Sequence, residues 1–113
     1  MNLIKPKIWN RLVLNGDYIV AELKATEDNN RRWVAIYKNN GKPKINKNLP
    51  EYKYLILDFE LDKSIIDTYF GEEDKKNQKR YYLNSEEEIY KKLNELNINP
   101  DLFDVPWASE YPL

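Results

Sequence analysis

A chain of 113 residues with 42% hydrophobic and 13% aromatic content is long enough to bury a core and too apolar for global disorder. It contains no cysteine and no histidine, which excludes disulfides, thiolate and histidine metal sites, and Ser-His-Asp or Cys-His nucleophiles. The net charge of −1 hides a split: residues 1–50 carry ten Lys/Arg against four Asp/Glu (+6), and residues 51–113 carry eight against fifteen (−7), a polarity that bears on association rather than on fold.

In "KPKIWNRLVLNG", Pro6 suits the first turn of a helix and Asn15-Gly16 suits its end, with Ile8, Leu12 and Asn15 at helical spacing. The same apolar pairs fit a strand, and a short helix or irregular opening is favoured. "YIVAELKA" (18–25) and "RWVAIYK" (32–38) are rich in β-formers and flank the polar "TEDNNR", which predicts a hairpin. Ile19, Ala21, Leu23 and Ala25 form one face of its first strand. The second offers either Val34 and Ile36 or Trp33, Ala35 and Tyr37 to the interior. "NNGKPKINKNLPE" (39–51) reads as a loop and residues 52–61 as a third strand. "DKSIIDTYFG" (62–71) reads as a short helix ended by Gly71, with Ile65, Ile66, Tyr69 and Phe70 on its apolar side. "EEDKKNQKR" reads as an exposed loop and "YYL" (81–83) as a brief edge strand. Ser85 opens the best-defined helix: "SEEE" is a capping box with Glu88, and Ile89, Leu93 and Leu96 give its apolar stripe with Tyr90 beside it. "PDLF" predicts one further turn, and "DVPWASEYPL" predicts extended backbone before each proline. The expectation is a single α+β domain over 1–113: a small, mostly antiparallel sheet of three or four strands with a C-terminal helix packed on one face.

Several residue groups invite a functional reading. In "LILDFELDK" the period of a strand puts Leu55, Leu57, Phe59 and Leu61 on one face and Ile56, Asp58, Glu60 and Asp62 on the other. Three aligned carboxylates suit a hard cation, a basic partner or plain solvent; the partner surface is favoured over the metal, with Asp67, Glu72, Glu73 and Asp74 extending it. Glu22-Leu23-Lys24 resembles the E-x-K element of PD-(D/E)xK nucleases, which pair it with an Asp on a preceding strand; here Asp17 would lie on the same strand, a departure from that pattern. Lys5, Lys7, Arg11, Arg31, Arg32, Lys38, Lys42, Lys44 and Lys47, near Trp9, Trp33 and Tyr37, compose an alternative nucleic-acid groove. Ser85 has no base beside it and is a cap. Trp107 and Tyr111 are either anchors pinning the tail across the sheet or a protruding pair used as a binding hot spot, and burial decides between them.

With "NSEEEIYKKL" followed by a Pro-Trp tail, in a small Lys/Asn/Ile/Glu-rich chain, the sequence resembles the immunity proteins of contact-dependent growth inhibition and polymorphic toxin systems. The resemblance implies a cytoplasmic inhibitor, not an enzyme, without cofactor or membrane association, forming a heterodimer with a cognate toxin of nuclease type and occluding its active cleft. It rests on overall character and transfers no residue.

Overall fold

The structure is a computed structural model that describes residues 3–39, 52–68 and 71–113. Tyr69, Phe70 and the loop expected over 39–51, apart from Asn39, lie outside the described residues. The chain opens with helix α1, Pro6–Asn15, which has Pro in its first turn. It ends where Gly16 takes a left-handed φ of 73° and its N–H and that of Asp17 donate to the Leu12 and Arg11 carbonyls. Ile8 and Leu12, one turn apart, are the residues α1 buries.

Four strands follow: β1 (Ile19–Leu23), β2 (Asn30–Lys38), β3 (Tyr54–Asp62) and β4 (Lys76–Leu83), antiparallel and adjacent in chain order. Helix α2, Glu86–Glu95, comes after them, so the architecture is α+β with the helix at the C-terminal side of the sheet. The Ser85 hydroxyl accepts the Glu88 N–H at 3.2 Å, and the Glu88 carboxylate reaches back to the Asn84 N–H, one residue earlier than in the usual box.

Register decides which side chains share a face. Ile19, Ile36 and Ile56 stand together, as do Val20, Ala35 and Leu57. Both groups are buried, because both faces of the sheet are covered. On one, Ile36 and Ile56 pack with Ile8 and Leu12 of α1, Ile89 and Leu93 of α2, and Phe103. On the other, Trp33, Leu57, Phe59 and Leu61 are closed over by Tyr111 of the tail and by Ile65 and Ile66. The choice between Val34/Ile36 and Trp33/Ala35/Tyr37 therefore resolves as both sets, with Tyr37 only half-buried.

Two elements differ from expectation. Residues 63–68 form turns rather than a helix: the Asp62 carboxylate accepts the Ser64 N–H and hydroxyl, and the backbone bonds that follow among the described residues are i→i+3, Ile65 N–H to Asp62 and Thr68 N–H to Ile65. Gly71 starts a 3-10 turn, Glu72–Asp74, instead of ending a helix. The charged run after it is not a loop either: β4 begins at Lys76, five residues before the expected "YYL". An edge strand leaves Lys76, Lys79 and Arg80 in water while its backbone pairs with β3, so charge does not oppose the strand. "PDLF" does turn, as a 3-10 segment at Pro100–Leu102.

Because Ser85 closes an orphan N–H at the start of α2, Ser85→Ala is expected to lower the unfolding free energy by about 1 kcal/mol in urea titration without changing the slope of the transition.

Candidate partner-binding surface

The acidic row of β3 is not one solvent-facing stripe. Asp58 is 5% exposed and Glu60 2% exposed, on the stretch of the α1/α2 face beyond the two helices, where a concavity of ≈ 440 Å³ is lined by Thr26, Glu27, Arg32, Asp58, Glu60, Asn77 and Lys79. Arg32 of β2 grips Asp58 with a two-pronged fork, Nε to Oδ1 at 2.9 Å and Nη2 to Oδ2 at 2.7 Å. Glu60 accepts the Thr26 N–H at 2.9 Å, the Thr26 hydroxyl at 3.0 Å and the Asn77 amide at 2.9 Å. Asn77 reaches it because the β3–β4 register shifts between Asp58 and Glu60, and Asn77 itself sits at a φ of 52°, open to asparagine at modest cost. Burial pushes the Glu60 carboxyl upward, and the bonds from Asn77 and Thr26 more than offset this, leaving it below its ordinary value. Asp58 and Glu60 thus tie strands and loops together at the wall of this concavity.

The remaining acids are nearer the surface. Asp62, lowered chiefly by the Ser64 N–H, caps the turn that follows β3. Asp74 accepts the Gly71 N–H at 2.9 Å. Glu72 is paired with Lys75 and lies 3.7 Å from Arg80. Glu72, Glu73 and Asp67 are exposed. Among the described residues no group of three or more carboxylates is placed to hold a metal ion.

The other sequence groups are dispersed in the same way. Glu22 of the E-x-K element is held by the Arg31 guanidinium at 2.7 and 2.8 Å, and Asp17 lies 3.7 Å from Arg11. Of the expected basic groove, Arg31 and Arg32 are committed to carboxylates, Lys5 pairs with Asp104 at 3.4 Å, and Lys38 donates to the Val13 carbonyl. Trp33 is fully buried, and Lys42, Lys44 and Lys47 lie outside the described residues.

Burial divides the tail aromatics. Tyr111 is an anchor: its ring packs between Tyr18, Trp33 and Phe59, and its hydroxyl bonds that of Tyr37. Burial raises the Tyr111 phenol far above its usual range, so this bond is between neutral hydroxyls at ordinary pH. Trp107, four residues earlier, is 70% exposed. Its ring lies under the Arg11 guanidinium of α1, 5.4 Å from Cζ to centroid. Leu14, 75% exposed, is one turn along α1 from Arg11, on the same side of the helix.

The backbone holds Trp107 in this place. Upstream, Asp104 and Val20 exchange two backbone bonds of 2.9 Å, adding a bridge to the free edge of β1. Residues Pro106–Ser109 then make a 3-10 turn. Downstream, the Ser109 carbonyl accepts from both Trp33 Nε1 and Arg31 Nη2 at 3.0 Å. Trp107 therefore sits at the crest of a short strap tied at both ends. Its meeting with Arg11, 96 positions away in the chain, has no local sequence signal; the Pro-Trp pair is the only hint.

The chain matches no protein-family model, no curated protein and no solved structure.

Glu60→Ala leaves the Thr26 and Asn77 donors without their acceptor and is expected to cost about 3 kcal/mol, whereas Glu60→Gln costs less. Since the Glu60 carboxyl is lower in the folded chain than in the unfolded one, its contribution is full above the ordinary glutamate value and disappears as pH falls through the folded value. Urea titrations from neutral pH into the acid range should show stability falling less steeply with pH in Glu60→Gln than in the parent chain.

Proposed function

We propose that this chain acts by covering a partner protein, as an immunity-type inhibitor that neutralises a bacterial toxin. The observation that carries the proposal is Trp107: a large aromatic side chain left 70% in water, stacked with an arginine, and held by a strap bonded at both ends. A tryptophan needed only for packing is buried, as Trp33 is. Tryptophan and arginine are the residues that most often dominate interface energetics, and a neighbouring exposed leucine adds apolar area for a partner to cover. The exposed acids Asp67, Glu72 and Glu73, with Asp62 and Asp74 behind them, take the role of steering. A toxin that acts on nucleic acid presents a cationic cleft, which such charges draw in before the contact forms.

The test is quantitative binding to the protein captured with this chain from its own cells. Trp107→Ala is expected to weaken binding by at least about 30-fold, mainly through faster dissociation. Unchanged affinity removes Trp107 from the contact, and a stoichiometric nucleic acid in place of a protein overturns the proposal. Replacing Asp67 and Glu73 by Lys is expected to slow association and flatten its dependence on salt, with little change in dissociation rate.

A further inference from the structure

We propose that Arg31 is the positioning residue of this surface: a latch that fixes the strap, residues 104–111, in the geometry that presents Trp107. The inference rests on the reading of Trp107 as a contact residue. Arg31 makes three attachments at once. Its Nε and Nη2 form a fork on Glu22 at 2.7 and 2.8 Å, Nη2 also donates to the Ser109 carbonyl at 3.0 Å, and Nη1 lies 3.6 Å from the Glu110 carboxylate. The guanidinium covers the Trp33 ring, 4.8 Å from its centroid. Glu22 belongs to β1 and Arg31 to β2, so the latch is built on paired strands and reaches out to the strap.

The strap needs such a hold. Glu110 adopts a φ of 56°, a conformation that costs a non-glycine residue free energy and persists only when its surroundings impose it. Within the strap the Ala108 N–H donates to Val105 at 3.1 Å and the Glu110 N–H to Trp107 at 3.4 Å, short-range bonds that do not tie it to the sheet. Upstream the Asp104–Val20 backbone bridge fixes it, with Lys5 pairing to the Asp104 carboxylate, and downstream the carbonyl of Ser109 and the hydroxyl of Tyr111 take over. Trp33, whose Nε1 also donates to the Ser109 carbonyl, and Tyr111 are occupied with the core, whereas the Arg31 side chain lies half-buried over the Trp33 ring, so its loss loosens the strap without uncovering the sheet. A contact residue held in its bound geometry spares the ordering cost that binding otherwise carries. Lysine cannot replace the latch: an ammonium has neither the planar fork nor the second face for the Trp33 ring.

The experiment is amide hydrogen exchange on the whole chain without any partner. In Arg31→Lys the amides of Ala108 and Glu110 are expected to exchange at least about tenfold faster, while those of β2 and β3 keep their parental rates. Should Arg31→Lys fail to fold, Glu22→Gln, which leaves the guanidinium in place and weakens its fork, carries the same comparison. Unchanged exchange at 108 and 110 overturns the latch. So does an equal acceleration across strap and sheet, or full protection in the lysine variant. Because no partner is present, these outcomes are independent of whether Trp107→Ala weakens binding, which decides the contact itself.

Discussion

The two central strands are apolar on both faces, and the rest of the molecule follows from having to cover them. Ile36 and Ile56 point one way, Trp33 and Phe59 the other, and all four are fully buried. Antiparallel sheets commonly leave one face to water. Here α1 and α2 close the first face, and among the described residues no α-helix covers the second. The tail and the 63–68 turns do that work, with Tyr111 set among Trp33, Phe59 and Tyr18. A tail used as a cover must be bonded to the sheet, and those bonds give the surface residue Trp107 a defined position.

The buried carboxylates answer a related problem. The helices do not reach the far end of their face, where β3 carries Asp58 and Glu60. An acid there survives burial only with its acceptors filled. Arg32 satisfies Asp58 from the neighbouring strand, while Thr26 and Asn77 satisfy Glu60 from a loop and a bulge on opposite sides of β3. Three sequence-distant segments are thereby joined at one side chain. Its depressed pKa reflects how completely that carboxylate is solvated by the protein.

The surface reading joins these features. Arg31 and Arg32 are held by carboxylate forks, whereas Arg11, 3.7 Å from Asp17, is the guanidinium that meets an exposed aromatic ring. α1 contains no acidic residue, so its outer side presents Lys7, Arg11 and Leu14 beside the strap. The exposed acids include Asp67, Glu72 and Glu73 around the turns after β3 and Glu110 in the strap, and Asp67 and Glu110 both raise the Arg31 pKa, after the larger effect of the Glu22 hydrogen bond. Exposed acidic charge and the exposed Trp107 thus share the strap, and under the proposed function the first would steer a partner and the second would contact it.

Local patterns were sufficient for the hairpin, β3 and α2, because caps, β-branched runs and apolar periodicity act within a few residues, whereas for α1 they left a short helix and an irregular opening both open. They failed at 63–68, where an Asp62 side-chain turn outcompeted a helix, and over residues 76–80, where edge position made a charged run compatible with extending the expected edge strand. The alternation in "LILDFELDK" correctly assigned faces; it carried no information on whether the acidic face meets water. That depended on Arg32, Thr26 and Asn77, brought to it by register and by a bulge. For Trp107 and Tyr111 the sequence by itself determined two aromatic residues in a proline-spaced tail. Only the tertiary structure decided that Tyr111 is half-buried against the core and Trp107 presented, because burial depends on which distant surfaces the chain meets once both faces of the sheet are closed.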